Sequence, residues 1–412
     1  MKNVLRKLLC SLKYRTIQVL VALTLYFSIC KFLPPMAHQG LYTIGMFIKD
    51  VIMLVMPAVV AFFIAHTICS LEKRAPLFVL IVILFEAISN LSSVWYAFAC
   101  GNLVAGHLPP SFEVTNVSHD FHALWRLPFT KSPWWSVNKG VLFGLVLGCL
   151  GAFYKNSFLK SVIGKGKTTV QWLLTKVFAR LIPLFIVGFA AQIYQTQLLN
   201  QIFANYTLLI GWLILFLIVY LIFLFVLGAG GSRDDAVQSI KNLLPAGGIA
   251  LTSGCSLSTM PWTIEGAAKN LKNPNLAKAI IPTTTNVHQV GDCIANTFLC
   301  FLIYRHFYGV NPDWIMWINF SIVFMLARFA TVGVIGGAIF LMLPIYEAYL
   351  NFNAPMIAII LAFNVILDPL ITSSNVMANG AICQIMERIW DWLEAFLNNI
   401  IKGVRKVDVG GK

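Results

Sequence analysis

The side chains at positions 364, 368, 372, 375 and 379 read Asn, Asp, Thr, Asn and Asn inside a largely apolar run, 355–383. Spacings of four, four, three and four put Asn364, Asp368, Thr372, Asn375 and Asn379 on one face of a helix. Lipid would penalise every member of such a stripe, so it must face a bundle interior or a watery cavity. Gluing helices together is the simpler use of polar groups at membrane depth. Five of them including an acid exceed that need, and the stripe reads as a binding face. A second dense polar block, Pro282-Thr-Thr-Thr-Asn-Val-His-Gln-Val-Gly-Asp292, opens the run 280–304. Its His288, taken alone, is as readily a hydrogen-bonded core residue as a proton carrier. Cys255 beside Ser256 has the look of a nucleophile, but no base is near in sequence, and no H-E-x-x-H or other metal motif occurs. The chemistry is that of binding; no enzyme is expected.

The elements that position these residues are apolar. The chain has 412 residues, 58% apolar and 11% charged, with a mean hydropathy of +0.79. A soluble domain so poor in charge would aggregate; the fitting solvent is a bilayer, which about 18–20 apolar residues cross as a helix. Long apolar runs without alternation exclude a barrel. The fold class is all-α, a polytopic membrane protein. Runs at about 16–33, 42–70, 77–105, 139–154, 177–199 and 206–228 come first, with an aromatic outer loop near 106–138. Asp50 and Glu86 are the ionisable exceptions in these runs: Asp50 suits a snorkelling position near a helix end, and Glu86 has no obvious partner.

Past Gly228 the character changes. Leu244 to Pro261 is apolar yet broken by Gly, Ser, Thr and Pro, and Ala327 to Ile339 interrupts the run 314–350 in the same way. Irregular backbone at that depth is tolerated only inside protein or along a cavity. Two interrupted segments in corresponding places point to a transporter's binding site; ordinary spans with glycine-rich contacts are the plainer reading of the same pattern.

The net charge of +14 does not indicate a nucleic-acid partner. Lys2, Arg6, Lys7, Lys13 and Arg15 precede the first run, Lys73 and Arg74 follow the second, Lys155 to Lys167 the fourth, and Lys402, Arg405 and Lys406 lie last. The intervening connections are almost free of Lys and Arg, which is the positive-inside pattern and predicts both termini in the cytoplasm. The basic start before 16–30 resembles a signal peptide, but Lys31-Phe-Leu-Pro-Pro is a poor cleavage site. The cysteines, scattered in apolar runs, read as small hydrophobes. The sequons Asn116-Val-Ser118 and Asn205-Tyr-Thr207 decide nothing.

These features resemble the dicarboxylate/amino acid:cation symporter family, which contains the glutamate transporters, over most of the chain. Lys49 to Pro57 is similar to its second helix and Ala179 to Pro183 to its fifth. Ser253–Pro261 resembles the serine-rich tip of its first re-entrant hairpin, and Thr331–Gly336 the glycine-rich tip of its second. Asn364 to Asn379 resembles its final motif without gaps. The resemblance implies a homotrimer, eight membrane helices plus two re-entrant hairpins, and an elevator-type transport domain moving against a scaffold. It implies a cytoplasmic N-terminus at 1–15, helices one to six in 16–228, and a transport core at 229–390. That core would hold hairpin one (about 234–275), helix seven (280–304), hairpin two (314–350) and helix eight (355–388), before a cytoplasmic C-terminus at 391–412. The expected setting is a plasma membrane, the inner membrane of a bacterium, with lipid and a small-molecule substrate as partners and no cofactor.

By the same resemblance Asp368 holds a substrate α-amino group and Asn375 its α-carboxylate, with Thr372 beside them. A carboxylate for an ammonium and an amide for a carboxylate make physical sense in a dry site. Cys255 and Ser256 would touch the substrate from the first hairpin, Val334 and Gly336 from the second. Two departures redirect the reading. Where members that carry acidic substrates have an arginine, this chain has Ile371, which favours a neutral side chain because a second carboxylate would be left unpaired. Arg328 offers the alternative, supplying that charge for a dicarboxylate or acidic amino acid, unless it merely snorkels or sets topology. The cation motif reads His288-Gln-Val-Gly-Asp292, with Val290 at the aspartate position, and Asn364 and Asn379 stand where the family has carboxylates. Much of a sodium site's negative charge is gone, leaving at most a weak one at Asn379, Asn364 and Asp292. His288 and Asp292 form a pair suited to binding and releasing a proton. The expected activity is symport of a small amino acid coupled to H+ or Na+. A transport-inactive sensor or a channel on the same scaffold is the competing class, although no ring of like charges or filter loop is present.

Overall fold

A computed structural model describes residues 15–70, 76–107, 121–128, 135, 137–153, 157–195, 198–285, 287–329 and 338–409. Lys2 to Lys13 of the N-terminal basic cluster, Lys73 and Arg74, the sequon at Asn116, and Val334 and Gly336 lie outside them. Among the described residues every regular element is helical. Pro35–His66, Ile81–Val104 and Leu209–Gly228 are each long and apolar enough to cross a membrane. Two bent pairs bring the spans to five if each pair counts as one. By length and composition the described helices therefore supply fewer spans than the eight expected, because apolar helices such as Val21–Phe32 and Leu142–Gly151 are short. The protein is a multi-pass membrane protein.

Both bends have local causes. Ser157–Phe178 and Pro183–Gln192 meet at 58°, where a π-helical segment, Leu173–Phe178, precedes Pro183. Ala354–Asn364 and Ile366–Leu393 meet at 59°. Pro369 has no N–H for the carbonyl four residues earlier, and its ring crowds that carbonyl, so the helix opens there.

The chain divides into two compact units. The first comprises Met1–Phe216 and Asn286–Asp368. In it α1 (Arg15–Ile29), α2 (Pro35–Ser70), α3 (Pro76–Val104), α4 (Val137–Phe153), α5 (Ser157–Trp172) and α6 (Ala179–Gln195) precede α7 (Leu198–Gly228), whose first part belongs here. Small residues let these backbones approach, as membrane helices need in place of a hydrophobic driving force. A Cβ on Gly188 of α6 would stand 2.6 Å from the Leu41 carbonyl of α2, and one on Gly140 of α4 would stand 2.4 Å from the Pro57 carbonyl. His38 of α2 is a satisfied core histidine: its Nε2 donates to the Cys30 carbonyl at 3.2 Å, which leaves Nδ1 to accept from the Tyr26 hydroxyl at 2.8 Å.

Also in the first unit are α11 (Val290–Tyr308), α12 (Trp314–Arg328), α13 (Ala338–Leu350) and the start of α14 (Ala354–Val409). Aromatic rings fasten α3 to α11 and α12: Phe98 lies 5.5 Å from Phe301 and 4.9 Å from Trp317, centre to centre. Buried Lys49 of α2 forms an ion pair with Glu347 of α13.

The second unit, Leu217–Thr285 with Pro369–Lys412, holds α8 (Arg233–Ser253), α9 (Ser256–Ala268), α10 (Asn275–Thr284) and most of α14. Its polar groups are tied in a chain. Asn242 donates to Asn270 at 2.7 Å, Gln384 to Ser239 at 2.9 Å, and Glu387 accepts the backbone N–H groups of Lys272 (3.0 Å) and Asn273 (2.8 Å). Between α8 and α14 the packing is small-residue contact, with Ala246, Ala250 and Val376 forming a buried cluster. Ser373 donates to the Gly247 carbonyl at 2.9 Å.

Candidate functional site

The run 280–304, expected as one span, is two helices. α10 ends at Thr284 and α11 begins at Val290. The polar block thus contains a helix break, and backbone groups freed at such a break need partners from elsewhere in the protein. Within the first unit α3 supplies them. The Asn90 side chain donates to the Val287 carbonyl at 2.8 Å and accepts the Gln289 N–H at 3.1 Å. Beside it Ser89 Oγ is hydrogen bonded to His288 Nε2 at 2.8 Å, across 199 positions of sequence. His288 and Asn90 are both fully buried. Ser93 donates in turn to the Ser89 carbonyl at 2.7 Å.

Asp292 lies in the first turn of α11, where the helix dipole favours negative charge. A line of donors converges on it. Asn364 Nδ2 donates to Asn296 Oδ1 at 2.8 Å, and Asn296 Nδ2 to Asp292 Oδ1 at 3.2 Å. Arg328, at the end of α12 and fully buried, brings Nη1 to 3.5 Å from the same Asp292 oxygen. That nitrogen also donates to Gln289 Oε1 at 2.9 Å, and the guanidinium stacks 4.5 Å over the Phe324 ring. The first unit therefore brings His288, Asp292, Asn364 and Arg328, all singled out in the sequence, into one connected polar region. Asp368 belongs to this unit too and is partly buried.

In the second unit Cys255 and Ser256 lie at the turn between α8 and α9. Gly254 ends α8 in the left-handed conformation (φ +59°), which glycine adopts without a Cβ penalty, and its N–H bonds the Ala250 carbonyl at 2.9 Å. The extended Cys255 then starts α9, and Thr259 donates back to its carbonyl at 2.8 Å. Ser256 is the first residue of α9, so the N-terminal N–H groups of that helix gather at the interrupted segment. On α14 Thr372, Asn375 and Asn379 are buried, and so is Ile371.

Sequence reasoning did not find Ser89, Asn90 or Asn296. A signal for the first two was present: Ser89-Asn-Leu-Ser-Ser93 is a polar block within an apolar run. Asn296 stands four residues after Asp292, one helical turn on, the same spacing that exposed the stripe on α14. Glu86, three residues before Ser89, is buried as well. Among the described residues no group of three His, Cys, Asp or Glu side chains is placed to hold a metal ion.

Comparison with curated proteins gave no match. The sodium:dicarboxylate symporter family model, in contrast, matches residues 16–389, which include every named residue of the polar region and both interrupted segments. The chain belongs to the sodium:dicarboxylate symporter family, a family of transporters and not of enzymes.

Proposed function

We propose that this protein is a secondary active transporter that carries a small neutral amino acid into the cell together with protons. The observation that carries the reading is the engagement of Arg328. Its Nη1 donates to Gln289 Oε1 and pairs with Asp292 Oδ1, and Ile371 is an apolar residue buried in the polar face of α14. Both features favour a cargo without a side-chain carboxylate, since a second carboxylate would have to be desolvated without a cation. This reading gives Asp368 the cargo's ammonium group and Asn375 its carboxylate, with Thr372 beside them. Ser256 and Cys255, at the N-terminus of α9, contribute N–H groups suited to the same anion. The family resemblance gives Val334 and Gly336, which lie outside the described residues, a role beside the cargo.

The proton path uses His288, whose ring is held by a hydrogen bond to Ser89. Asp292, Asn364 and Asn379 complete the coupling region. α8 with α9, and α12 with α13, act as the two re-entrant hairpins of an elevator-type transport domain in a homotrimer, with both termini in the cytoplasm of a bacterial inner membrane.

The experiment is a thermal-shift screen of the purified protein against neutral amino acids, acidic amino acids and dicarboxylates. A ligand that binds the folded state raises its stability with the logarithm of concentration. Neutral amino acids are expected to shift the melting temperature, and Asp368→Asn, folded and monodisperse, to abolish that shift. A shift by dicarboxylates alone, or an unchanged response in Asp368→Asn, contradicts the reading.

A further inference from the structure

Arg328 Nη1 stands between two oxygens, 2.9 Å from Gln289 Oε1 and 3.5 Å from Asp292 Oδ1. A carboxylate oxygen and an amide oxygen are the hard ligands an alkali or alkaline-earth cation would take. Here a side chain of the protein takes both. The other groups on this carboxylate are donors too: Asn296 gives it an N–H, and Asn364 orients Asn296 by donating to its carbonyl oxygen. Phe324 presents its ring face to the guanidinium from below, and Tyr346 of α13 stacks on Phe324, 6.3 Å away centre to centre. The arginine is fully buried, so its charge is not lent to solvent or to a headgroup. A planar, weakly hydrated guanidinium suits such a place better than the compact, strongly hydrated ammonium of lysine.

We infer that Arg328 is a tethered cation: it occupies, as part of the chain, the place of a bound alkali cation beside Asp292, so that the folded core of the first unit forms without sodium. A dissolved cation would have to be bound at each cycle and would make the protein's stability and activity depend on its concentration. A cation carried on α12 is always present. Charge balance at Asp292 is then a property of the sequence, and the proton remains as the cation to be coupled. The inference deepens the symport reading and rests on it for what a cation would otherwise couple.

The test reads substrate-free protein, so it fails or succeeds separately from the choice of cargo. The full-length protein, purified in detergent, is melted in choline chloride, in sodium chloride of equal ionic strength, and in choline chloride with added guanidinium. Wild type is expected to melt at the same temperature in choline and in sodium. Arg328→Gln is expected to melt lower in choline and to recover along a saturable curve as sodium or guanidinium is added. Asp292→Asn/Arg328→Gln, which removes both charges, is expected to lose that response. A sodium-dependent rise in wild type overturns the inference, as does an Arg328→Gln protein indifferent to both cations. If Arg328→Gln aggregates, recovery of a monodisperse double variant supports the counter-charge role, and aggregation of both overturns it.

Discussion

Asn90 of α3 donates its side-chain N–H to the Val287 carbonyl at 2.8 Å, and its side-chain oxygen accepts the N–H of Gln289 at 3.1 Å. One amide thus does for the break before α11 what the missing helical turn would have done. An unsatisfied buried backbone group costs about 1–3 kcal/mol, and this side chain satisfies a donor and an acceptor together. Asn90→Ala is expected to destabilise the protein by about 2–6 kcal/mol on that basis. Asn90→Asp, which keeps the acceptor but loses the donor, should also destabilise, since it leaves the Val287 carbonyl unmatched. Melting temperature in detergent checks both; a wild-type value for Asn90→Ala would show that the break is held elsewhere.

In the second unit Glu387 and Lys272 separate a structural charge from a surface one. Glu387 is buried and accepts two backbone N–H groups, from Lys272 and Asn273. Hydrogen bonds to charged groups contribute about 1.5–3 kcal/mol each, so Glu387→Ala is expected to cost at least that range. The Lys272–Asp391 pair at 2.7 Å is exposed on both sides, and exposed pairs contribute little. Lys272→Ala is expected to leave the melting temperature within error of wild type. Equal losses for the two substitutions would mean that the turn after α9 is held by the surface pair.

Ile371 gives a prediction about specificity. It lies on α14 one residue before Thr372 and is buried. Ile371→Arg supplies a cation to the polar face, and the cargo preferred by the variant should move from neutral to acidic amino acids. Discrimination by a buried ion pair reaches several kcal/mol when the rival leaves a charge unpaired. The comparison is a thermal-shift titration of wild type and variant with a neutral and an acidic amino acid. An unchanged order of preference would separate Ile371 from the cargo.

Much of this was legible in the sequence, for identifiable reasons. The apolar runs announce membrane helices because a bilayer demands length and continuity, and α2, α3 and α7 have both. The interruption at Leu244–Pro261 announces the α8–α9 turn because Gly254 is where a left-handed residue is cheapest. The one-faced stripe on α14 follows from its spacing alone, and its buried members are Asn364, Thr372, Asn375 and Asn379. The break between α10 and α11 falls inside the polar block Pro282–Asp292, but a polar block alone does not say where a helix stops. The hydrogen bonds that hold it come from Ser89 and Asn90, nearly two hundred positions earlier, and no local pattern reports a contact at that range. Arg328 was visible as a charge in an apolar run, whereas its pairing with Asp292 was not, because no local pattern reports a contact between two separate helices. The glycine-rich tip with Val334 and Gly336 lies outside the described residues.

The measurement that reaches the central claim most directly is uptake of a labelled small neutral amino acid, such as alanine or serine, into proteoliposomes. Two conditions are compared: an inward proton gradient with no sodium present, and an inward sodium gradient at uniform pH. Accumulation above equilibrium is expected under the proton gradient and not under the sodium gradient. Accumulation that requires sodium and ignores the proton gradient would contradict the account.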